Sequence, residues 1–228
     1  QPQRRLLPAQ AVPVTMRGLF ISLEGGEGAG KSTVLSALRD ALLADGCEVV
    51  CTREPGGTPL AERIRGLLLD TGDEPVHPHT ELLLMFAARA QHVQRVVLPA
   101  LARGAWVISD RFTDSSYAYQ GAARGMDAGF IAELERRAVG IEPGLTLLLD
   151  LGVAHARERT RGRDLLGGAS PDRIERERDD FFERVREGFL ARATAHPQRI
   201  RLLDASPDAA AVAAAALAVL ADYRKALA

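Results

Sequence analysis

Five short apolar runs alternate with longer segments of helical periodicity along the 228-residue chain. The runs have the length and composition of buried strands, and they lie at 18–24, 47–52, 105–110, 145–151 and 199–205. Strands that alternate with helices favour a parallel sheet covered on both faces. The pattern therefore predicts an α/β, three-layer fold with a five-stranded parallel sheet between helices.

Helical periodicity is clearest in six segments, at 31–46, 58–69, 80–104, 115–120, 127–139 and from 206 almost to the end of the chain. Pro59 suits the first turn of the second helix, whereas Pro99 predicts a kink or an early end of the third. Ser206 and Pro207 predict the N-cap and the first residue of the last helix.

Composition and charge exclude two kinds of partner. The chain is 46% apolar, an ordinary value for a globular protein, and its net charge of −1 provides no basic field for nucleic acid. No apolar run approaches the roughly 18 residues that indicate a membrane span. We therefore expect neither a nucleic-acid nor a membrane partner.

Two further features concern the setting of the chain. Cys47 and Cys51 would lie about 13 Å apart along a strand, beyond the reach of a disulfide. This spacing predicts two small buried side chains in a reducing, cytoplasmic compartment. Residues 1–15 are rich in Pro and Gln and are expected to form a disordered leader, with Met16 as the natural start of a single domain over 16–228.

The most specific motif is the glycine-rich segment 25–32, which matches G-x-x-x-x-G-K-[ST] between a strand and a helix. Its backbone N–H groups and the helix N-terminus favour phosphate, Lys31 supplies a point charge, and Ser32 can ligate Mg²⁺. The motif predicts a P-loop that binds a nucleoside triphosphate. Its predicted binding residues are Gly25, Gly26, Glu27, Gly28, Ala29, Gly30, Lys31, Ser32 and Thr33.

Three protein classes share this loop. GTPase switches also carry an N-K-x-D motif, which this sequence lacks. Motor-type ATPases need an apolar strand that ends in an acid, and both Asp110 and Asp150 end such strands. Small-molecule kinases need a second, arginine-bearing site for the acceptor. The arginines between the loop and the last strand favour this third class.

The candidate arginines lie in three regions of the chain. Asp110 and Arg111 end a strand, where open α/β sheets bind ligands. Arg89 lies on the long helix, where an exposed surface role is the simpler alternative, and Arg53 and Arg65 flank the loop REPGG. Finally, the segment from about 155 to 173 is predicted to be a mobile lid, or otherwise a solvated charged face; its arginines are Arg157, Arg159, Arg161 and Arg163.

Several segments together resemble one family, the bacterial thymidylate kinases. They are SLEGGEGAGKST, TREPGGTPLAERIR, FAARAQH, DRFTDSSYAYQGAARG and DRIERERDDFF, and they follow the family's order along nearly the whole chain after Met16. The resemblance implies a P-loop nucleoside monophosphate kinase fold and Mg²⁺-dependent transfer of phosphate from ATP to dTMP. It also implies a homodimer.

The resemblance assigns roles where the motifs match. It places Lys31, Asp110, Arg111 and the lid arginines Arg157 and Arg161 in catalysis, and Ser32, Glu27 and Asp110 near the metal. It places dTMP among Glu54, Arg65, Met85, Phe86, Arg89, Arg111, Ser116, Tyr119 and Gln120.

Two departures from the family pattern affect these roles. Met85 occupies a position where many members carry a phenylalanine stacked on thymine, and Phe86 is the neighbouring candidate that we favour because it is aromatic. The segment DLLGGASP makes the lid longer than usual, so the catalytic arginine stays open among Arg157, Arg159, Arg161 and Arg163. Because position 28 is glycine, the loop itself carries no arginine and the lid is expected to supply one.

Overall fold

The structure is a computed structural model, and it describes residues 19–164 and 171–227. The predicted leader over 1–15 lies outside the described residues, as does the central part of the predicted lid, 165–170. The side chain of Arg163 also lies outside the described part of the chain.

One five-stranded sheet forms the centre of the molecule. Its strands are β1 (Phe20–Gly25), β2 (Val49–Arg53), β3 (Trp106–Asp110), β4 (Leu145–Asp150) and β5 (Ile200–Asp204). They are hydrogen-bonded in the order β2-β3-β1-β4-β5, and every pair is parallel. The predicted parallel sheet is confirmed, and its strand order brings the carboxyl ends of β1, β3 and β4 side by side.

Helices cover both faces of the sheet. They are α1 (Lys31–Ala44), α2 (Pro59–Leu69), α3 (Pro78–His92), α4 (Leu98–Ala102), α5 (Thr113–Ser116), α6 (Ala128–Leu134), α7 (Val153–Asp164), α8 (Asp179–Ala195) and α9 (Ala209–Leu227). Three π-helical segments continue α3, α5 and α6, at Val93–Val97, Tyr117–Ala123 and Glu135–Val139. As far as the structure describes the chain, no helix is long and apolar enough to cross a membrane.

The structure resolves two details of the predicted helices. Regular α3 ends at His92, the π-helical segment Val93–Val97 follows, and Pro99 lies in the first turn of α4; a kink at Pro99 stays a prediction. Ser206 is not the cap of the last helix. Asp208 caps α9 instead, because its carboxylate accepts from the N–H of Ala211 at 2.8 Å.

The core is divided between the two faces of the sheet. On one face, α1 and α9 bury leucines and valines against β1 and β4; on the other, α3 and α6 pack over Phe20 and Val107. A third cluster joins α8 to the segment after α5 through Tyr119, Phe181 and Phe189. Each buried side chain of this size contributes ~1.5–3 kcal/mol, so the sheet is a rigid platform for the loops at its carboxyl edge.

The cysteines differ from expectation in one respect. Both thiols are free, but Cys51 is exposed and Cys47 is half-buried. Strand β2 is at the edge of the sheet, which leaves side chains on its outer face in contact with solvent.

Candidate active site

The P-loop joins the buried end of β1 to the start of α1. Gly25, Gly28 and Gly30 all have positive φ, and a Cβ on Gly25 would lie 2.3 Å from the carbonyl oxygen of Leu149. Glycine is therefore required at position 25 for both conformation and space. No side chain caps α1, so the positive end of the helix is open to an anion.

Lys31 lies inside the loop. Its Nζ donates to the carbonyl oxygens of Gly26 at 2.9 Å and Gly25 at 3.3 Å. Burial lowers the pKa of the Lys31 ammonium to about 8, and the nearby positive charge of Arg111 adds to the effect. A phosphate bound in the loop would place negative charge beside this ammonium and favour its charged form. Ser32 and Thr33, the next two residues, are exposed on the first turn of α1.

Arg111 connects the P-loop to the helices on the acceptor side. Its guanidinium donates to the Gly25 carbonyl at 3.0 Å, the Ser115 hydroxyl at 3.2 Å and the Tyr119 hydroxyl at 3.1 Å. Burial by itself lowers the pKa of Arg111, but Tyr119 and the surrounding carboxylates outweigh it and raise the pKa. Within the described residues, Arg111 alone among non-glycine residues has a positive φ, 71°. The backbone is thus strained at the residue that joins the two halves of the site.

Asp110 fits the expected magnesium site. Its Oδ1 is buried and has no hydrogen-bond partner, although Asp110 ends β3 beside Arg53 of β2 and near Lys31. The described residues contain no group of three or more His, Cys, Asp or Glu side chains that could hold a metal ion. Mg²⁺ is usually bound by one or two protein oxygens together with phosphates and water, so Asp110 with the Ser32 hydroxyl is a suitable set.

Glu27 lies between two cavities at the carboxyl edge of the sheet. The first cavity is enclosed by the P-loop, β4, α7 and α8, and the second is the candidate acceptor cavity. Burial raises the pKa of the Glu27 carboxyl, and Glu175 raises it further. A metal or other cation beside Glu27 would favour its charged form.

The acceptor cavity brings together most of the residues expected to bind dTMP. Its walls include Glu27, Glu54, Arg65, Met85, Arg111, Tyr119 and Gln120. Sequence reasoning missed six other lining residues: Pro55, Leu68, Leu69, Ser115, Asp172 and Ile174. Helical spacing could not have revealed Ser115, because Arg111 has a positive φ and lies before the start of α5 at Thr113. Ser116, which we expected there, does not line the cavity and instead accepts from Arg89.

Arg89 is buried, so an exposed surface role is wrong. Its Nε donates to Glu54 at 2.5 Å, and its other nitrogens donate to the Ser116 hydroxyl at 2.9 Å and the Phe112 carbonyl at 3.1 Å. Only 1% of Arg89 is exposed. Arg89 therefore supports the cavity wall through Glu54, and its direct contact with thymine stays a prediction.

Glu54 has a second partner that the sequence did not reveal. Its Oε1 is 2.8 Å from Nδ1 of His92, whose Nε2 is 2.7 Å from the Thr52 hydroxyl. Because a carboxylate only accepts, His92 Nδ1 must carry the proton. The backbone of Gly57 packs on His92, where a Cβ would lie 2.6 Å from the ring. This chain of bonds fixes both the Glu54 carboxylate and the REPGG loop.

The structure places Met85 rather than Phe86 beside the acceptor cavity, and contact of either side chain with thymine stays a prediction. Phe86 is 2% exposed and packs in the core with the Arg89 guanidinium 4.8 Å from its ring centre. Met85 lines the acceptor cavity. Both residues neighbour Arg89 on α3, and the position of the cavity relative to the helix decides between them.

The lid arginines point in different directions. Arg157 turns toward α8, where it donates to Asp179 at 2.8 Å and to the Glu177 carbonyl at 2.7 Å. Arg159 reaches the carbonyls of Ala205 at 2.9 Å and Gly28 at 3.4 Å, next to the P-loop. Arg161 is exposed. Of the three side chains, Arg159 is the one that contacts the loop in this conformation.

Comparisons with known proteins point to one family. The family model for thymidylate kinase matches residues 23–215. The chain is 55% identical over 197 residues to the thymidylate kinase of Alkalilimnicola ehrlichii, covering 86% of this chain and 89% of that protein. It is 55% identical over 206 residues to that of Pseudomonas fluorescens strain SBW25, covering 90% and 96%.

A solved structure extends the similarity to the fold. The crystal structure of thymidylate kinase from Ehrlichia chaffeensis superposes with a TM-score of 0.72 at 30% identity, covering 89% of this chain and 98% of that one. With the matched family model spanning the P-loop, the acceptor cavity and the lid, the chain belongs to the thymidylate kinase family.

Proposed function

We propose that the chain transfers the γ-phosphate of ATP to dTMP and so forms dTDP and ADP. The observation that carries this proposal is the position of Arg111, which bonds to the P-loop at Gly25 and to Tyr119 in the wall of the acceptor cavity. A guanidinium at this junction can bind the phosphates of both substrates. The P-loop is the donor half of the site, and the cavity is the acceptor half.

In the donor half, the loop residues 25–33 hold the triphosphate through their backbone, and Lys31 exchanges its two carbonyl partners for phosphate oxygens. Asp110 and Ser32 hold Mg²⁺, with Glu27 near the acceptor side. When bound, Mg²⁺ supplies charge neutralisation on the phosphate oxygens. The unpaired Oδ1 of Asp110 supports this assignment.

In the acceptor half, the dTMP phosphate lies near Arg111 and Arg65, both of which line the cavity. Met85 and Gln120 contact the base, and Glu54, fixed by Arg89 and His92, lies at the sugar end. Burial lowers the pKa of Arg65, and an acceptor phosphate would offset this effect. Tyr119 stacks beside Arg111 and completes the wall.

The residues accelerate the reaction by position and charge. Phosphoryl transfer passes through a loose transition state, so the protein needs to align the two phosphates and neutralise their charge. The acceptor is already a phosphate anion, and no strong base is required. An arginine of the lid, among Arg157, Arg159, Arg161 and Arg163, adds charge over the donor when α7 moves, and closure excludes water.

The proposal includes a homodimer in the cytoplasm. Leu60 and Leu67 on α2 and Leu83 on α3 are exposed by 40%, 62% and 49%, and α2 packs along α3. A second copy would cover these leucines. The free thiols of Cys47 and Cys51 suit a reducing compartment. Light scattering of wild type and Leu67→Asp tests the assembly: the variant should be monomeric.

The reaction is tested by measuring ADP formation from ATP and Mg²⁺ with dTMP, dUMP, dCMP or thymidine as acceptor. We expect dTMP to be the preferred acceptor, and Lys31→Ala and Arg111→Ala to reduce turnover by about 100-fold or more while the fold survives. A folded wild-type sample that does not phosphorylate dTMP would refute the proposal. Near-normal turnover in either variant would refute the role given to that residue.

A further inference from the structure

Glu81 is a buried carboxylate in the first turn of α3 that forms no part of the proposed reaction. It is 1% exposed, and three cationic or amide groups surround it. Its Oε1 accepts from Nε2 of Gln120 at 2.9 Å and from Nε of Arg124 at 3.4 Å, and its Oε2 is paired with Arg173 at 2.8 Å and Arg124 at 3.3 Å. A buried charge needs such partners, but none of them explains why a charge is placed here.

The contact with Glu81 fixes the orientation of the Gln120 amide. A carboxylate has only acceptor atoms, so the amide nitrogen of Gln120 must face it and the amide oxygen must face away. That oxygen, Oε1, is buried and has no hydrogen-bond partner, while Gln120 lines the acceptor cavity. This unpaired oxygen is therefore the acceptor that Gln120 can offer to a base bound in the cavity.

The three partners keep Glu81 in its charged form. Burial raises the pKa of this carboxyl, but the bond from Gln120 and the positive charges of Arg124 and Arg173 outweigh it, and the net pKa is lowered. Arg173 is itself held by the carbonyl of Leu68 at 2.8 Å, and Arg124 by Glu177 at 2.6 Å. Both arginines contact Oε2, and Arg124 Nε shares Oε1 with Gln120.

We propose that Glu81 is a positioning residue for base selectivity, which holds the Gln120 amide so that its oxygen accepts from the N3–H of the acceptor base. This inference rests on the proposed function. Thymine and uracil carry a hydrogen on N3, whereas N3 of cytosine is an acceptor. An oxygen held toward N3 therefore favours dTMP and dUMP and leaves two acceptors opposed when dCMP binds.

Glu81→Gln is the test because the arginines dictate how its amide must lie. Two arginine nitrogens contact Oε2, at 2.8 and 3.3 Å, whereas only the longer 3.4 Å bond from Arg124 Nε reaches Oε1. The new amide oxygen therefore takes the Oε2 position, and the new amide nitrogen faces Gln120. Gln120 must then turn over and present its own nitrogen to the cavity. The ratio of kcat/KM for dTMP to that for dCMP should fall by about tenfold or more, since a buried unpaired polar group carries a penalty of that order.

Glu177→Gln is the matched control. Glu177 is also paired with Arg124, but it does not touch Gln120. This variant should leave the dTMP-to-dCMP ratio unchanged. dUMP should follow dTMP in both variants, because the two bases share N3–H. An unchanged ratio in folded Glu81→Gln, or an equal fall in Glu177→Gln, would overturn the inference.

The ratio is measured on one sample, so a loss of folded fraction cancels. If Glu81→Gln yields no folded protein, Glu81→Met replaces it: this side chain frees the Gln120 amide to take either orientation, and the ratio should still fall, by a smaller factor. An unchanged ratio there also overturns the inference. A wild type without dTMP kinase activity refutes the proposed function instead, and the ratio is then taken from Kd values of dTMP and dCMP by calorimetry.

Discussion

Replacing Gly28 with alanine should push helix α7, the first part of the predicted lid, away from the P-loop. Gly28 has φ +70°, and a Cβ there would lie 2.9 Å from the backbone carbonyl oxygen of Ala156 in α7. A left-handed conformation costs a non-glycine residue ~1–2 kcal/mol. Because the atom in the way is backbone, the helix itself must shift, which adds ~1–3 kcal/mol. We expect the free energy of unfolding of Gly28→Ala to fall by about 2–5 kcal/mol.

The P-loop contains its own controls for this prediction. Gly30 also has a positive φ, +89°, but a Cβ there would meet nothing within 4 Å. A Cβ on Gly26 would also meet nothing, and Gly26 is not among the glycines with positive φ. Gly30→Ala therefore isolates the conformational cost of ~1–2 kcal/mol. Gly26→Ala should be neutral or slightly stabilising, because alanine restricts the unfolded chain.

The assay is urea unfolding of the nucleotide-free protein, followed by circular dichroism, so that changes in phosphate binding do not enter. From most to least stable, the expected order of the variants is Gly26→Ala, Gly30→Ala and Gly28→Ala. If Gly28→Ala is no less stable than Gly30→Ala, α7 does not rest on the loop at this point, and the steric argument fails. The same variants assayed with ATP and dTMP would then show how far seating of α7 affects kcat/KM.

Three further predictions concern buried groups near the site. Burial raises the pKa of Glu24 to about 8, above its value in the unfolded chain, so the protonated carboxyl stabilises the fold and this stabilisation is lost as pH rises. The unfolding free energy of wild type should fall by about 3 kcal/mol from pH 5 to pH 7.5, and Glu24→Gln should abolish this fall. Because the pKa of Lys31 is about 8, ATP should bind the charged form and take up a proton at higher pH. The Kd for ATP, measured by calorimetry, should rise about fivefold from pH 8 to pH 9 in wild type, and should not change over this range in Lys31→Met. Phe86→Ala should lower the unfolding free energy by ~3–5 kcal/mol, whereas Met85→Ala should chiefly raise the KM for dTMP; the reverse pattern in urea unfolding and kinetics would contradict the placement of the two side chains.

The strands and the P-loop could be predicted from the sequence because their signals are local. A buried parallel strand is a continuous apolar run, and the loop between β1 and α1 needs glycines at fixed spacing to reach positive φ. The carboxyl ends of neighbouring parallel strands must also meet, which places Asp110 near the loop. These features depend on a few adjacent residues and on the handedness of the fold.

The supporting residues of the acceptor cavity could not be predicted in this way. Glu81 meets Gln120, and His92 meets Glu54, across 39 and 38 positions of sequence. No local pattern distinguishes such a buried carboxylate or imidazole from a surface one. The sequence could not decide between Met85 and Phe86 for a related reason, since helical periodicity gives both residues a place beside Arg89 but does not say which side of the helix faces the cavity.

Arg173 has a consequence for how the two substrates affect each other. Its backbone N–H and its side chain bond to the last turn of α2 at Leu69 and Leu68, and its neighbours Asp172 and Ile174 line the acceptor cavity at the C-terminal end of the predicted lid. Under the proposed lid movement, an acceptor that packs on these residues changes the free energy of that movement. Thermodynamic reciprocity then requires that lid closure over the donor alter acceptor affinity by the same factor. In the proposed kinase, the residues around Arg173 therefore couple the binding of ATP to that of dTMP. The coupling is measurable as equal factors by which each substrate changes the dissociation constant of the other.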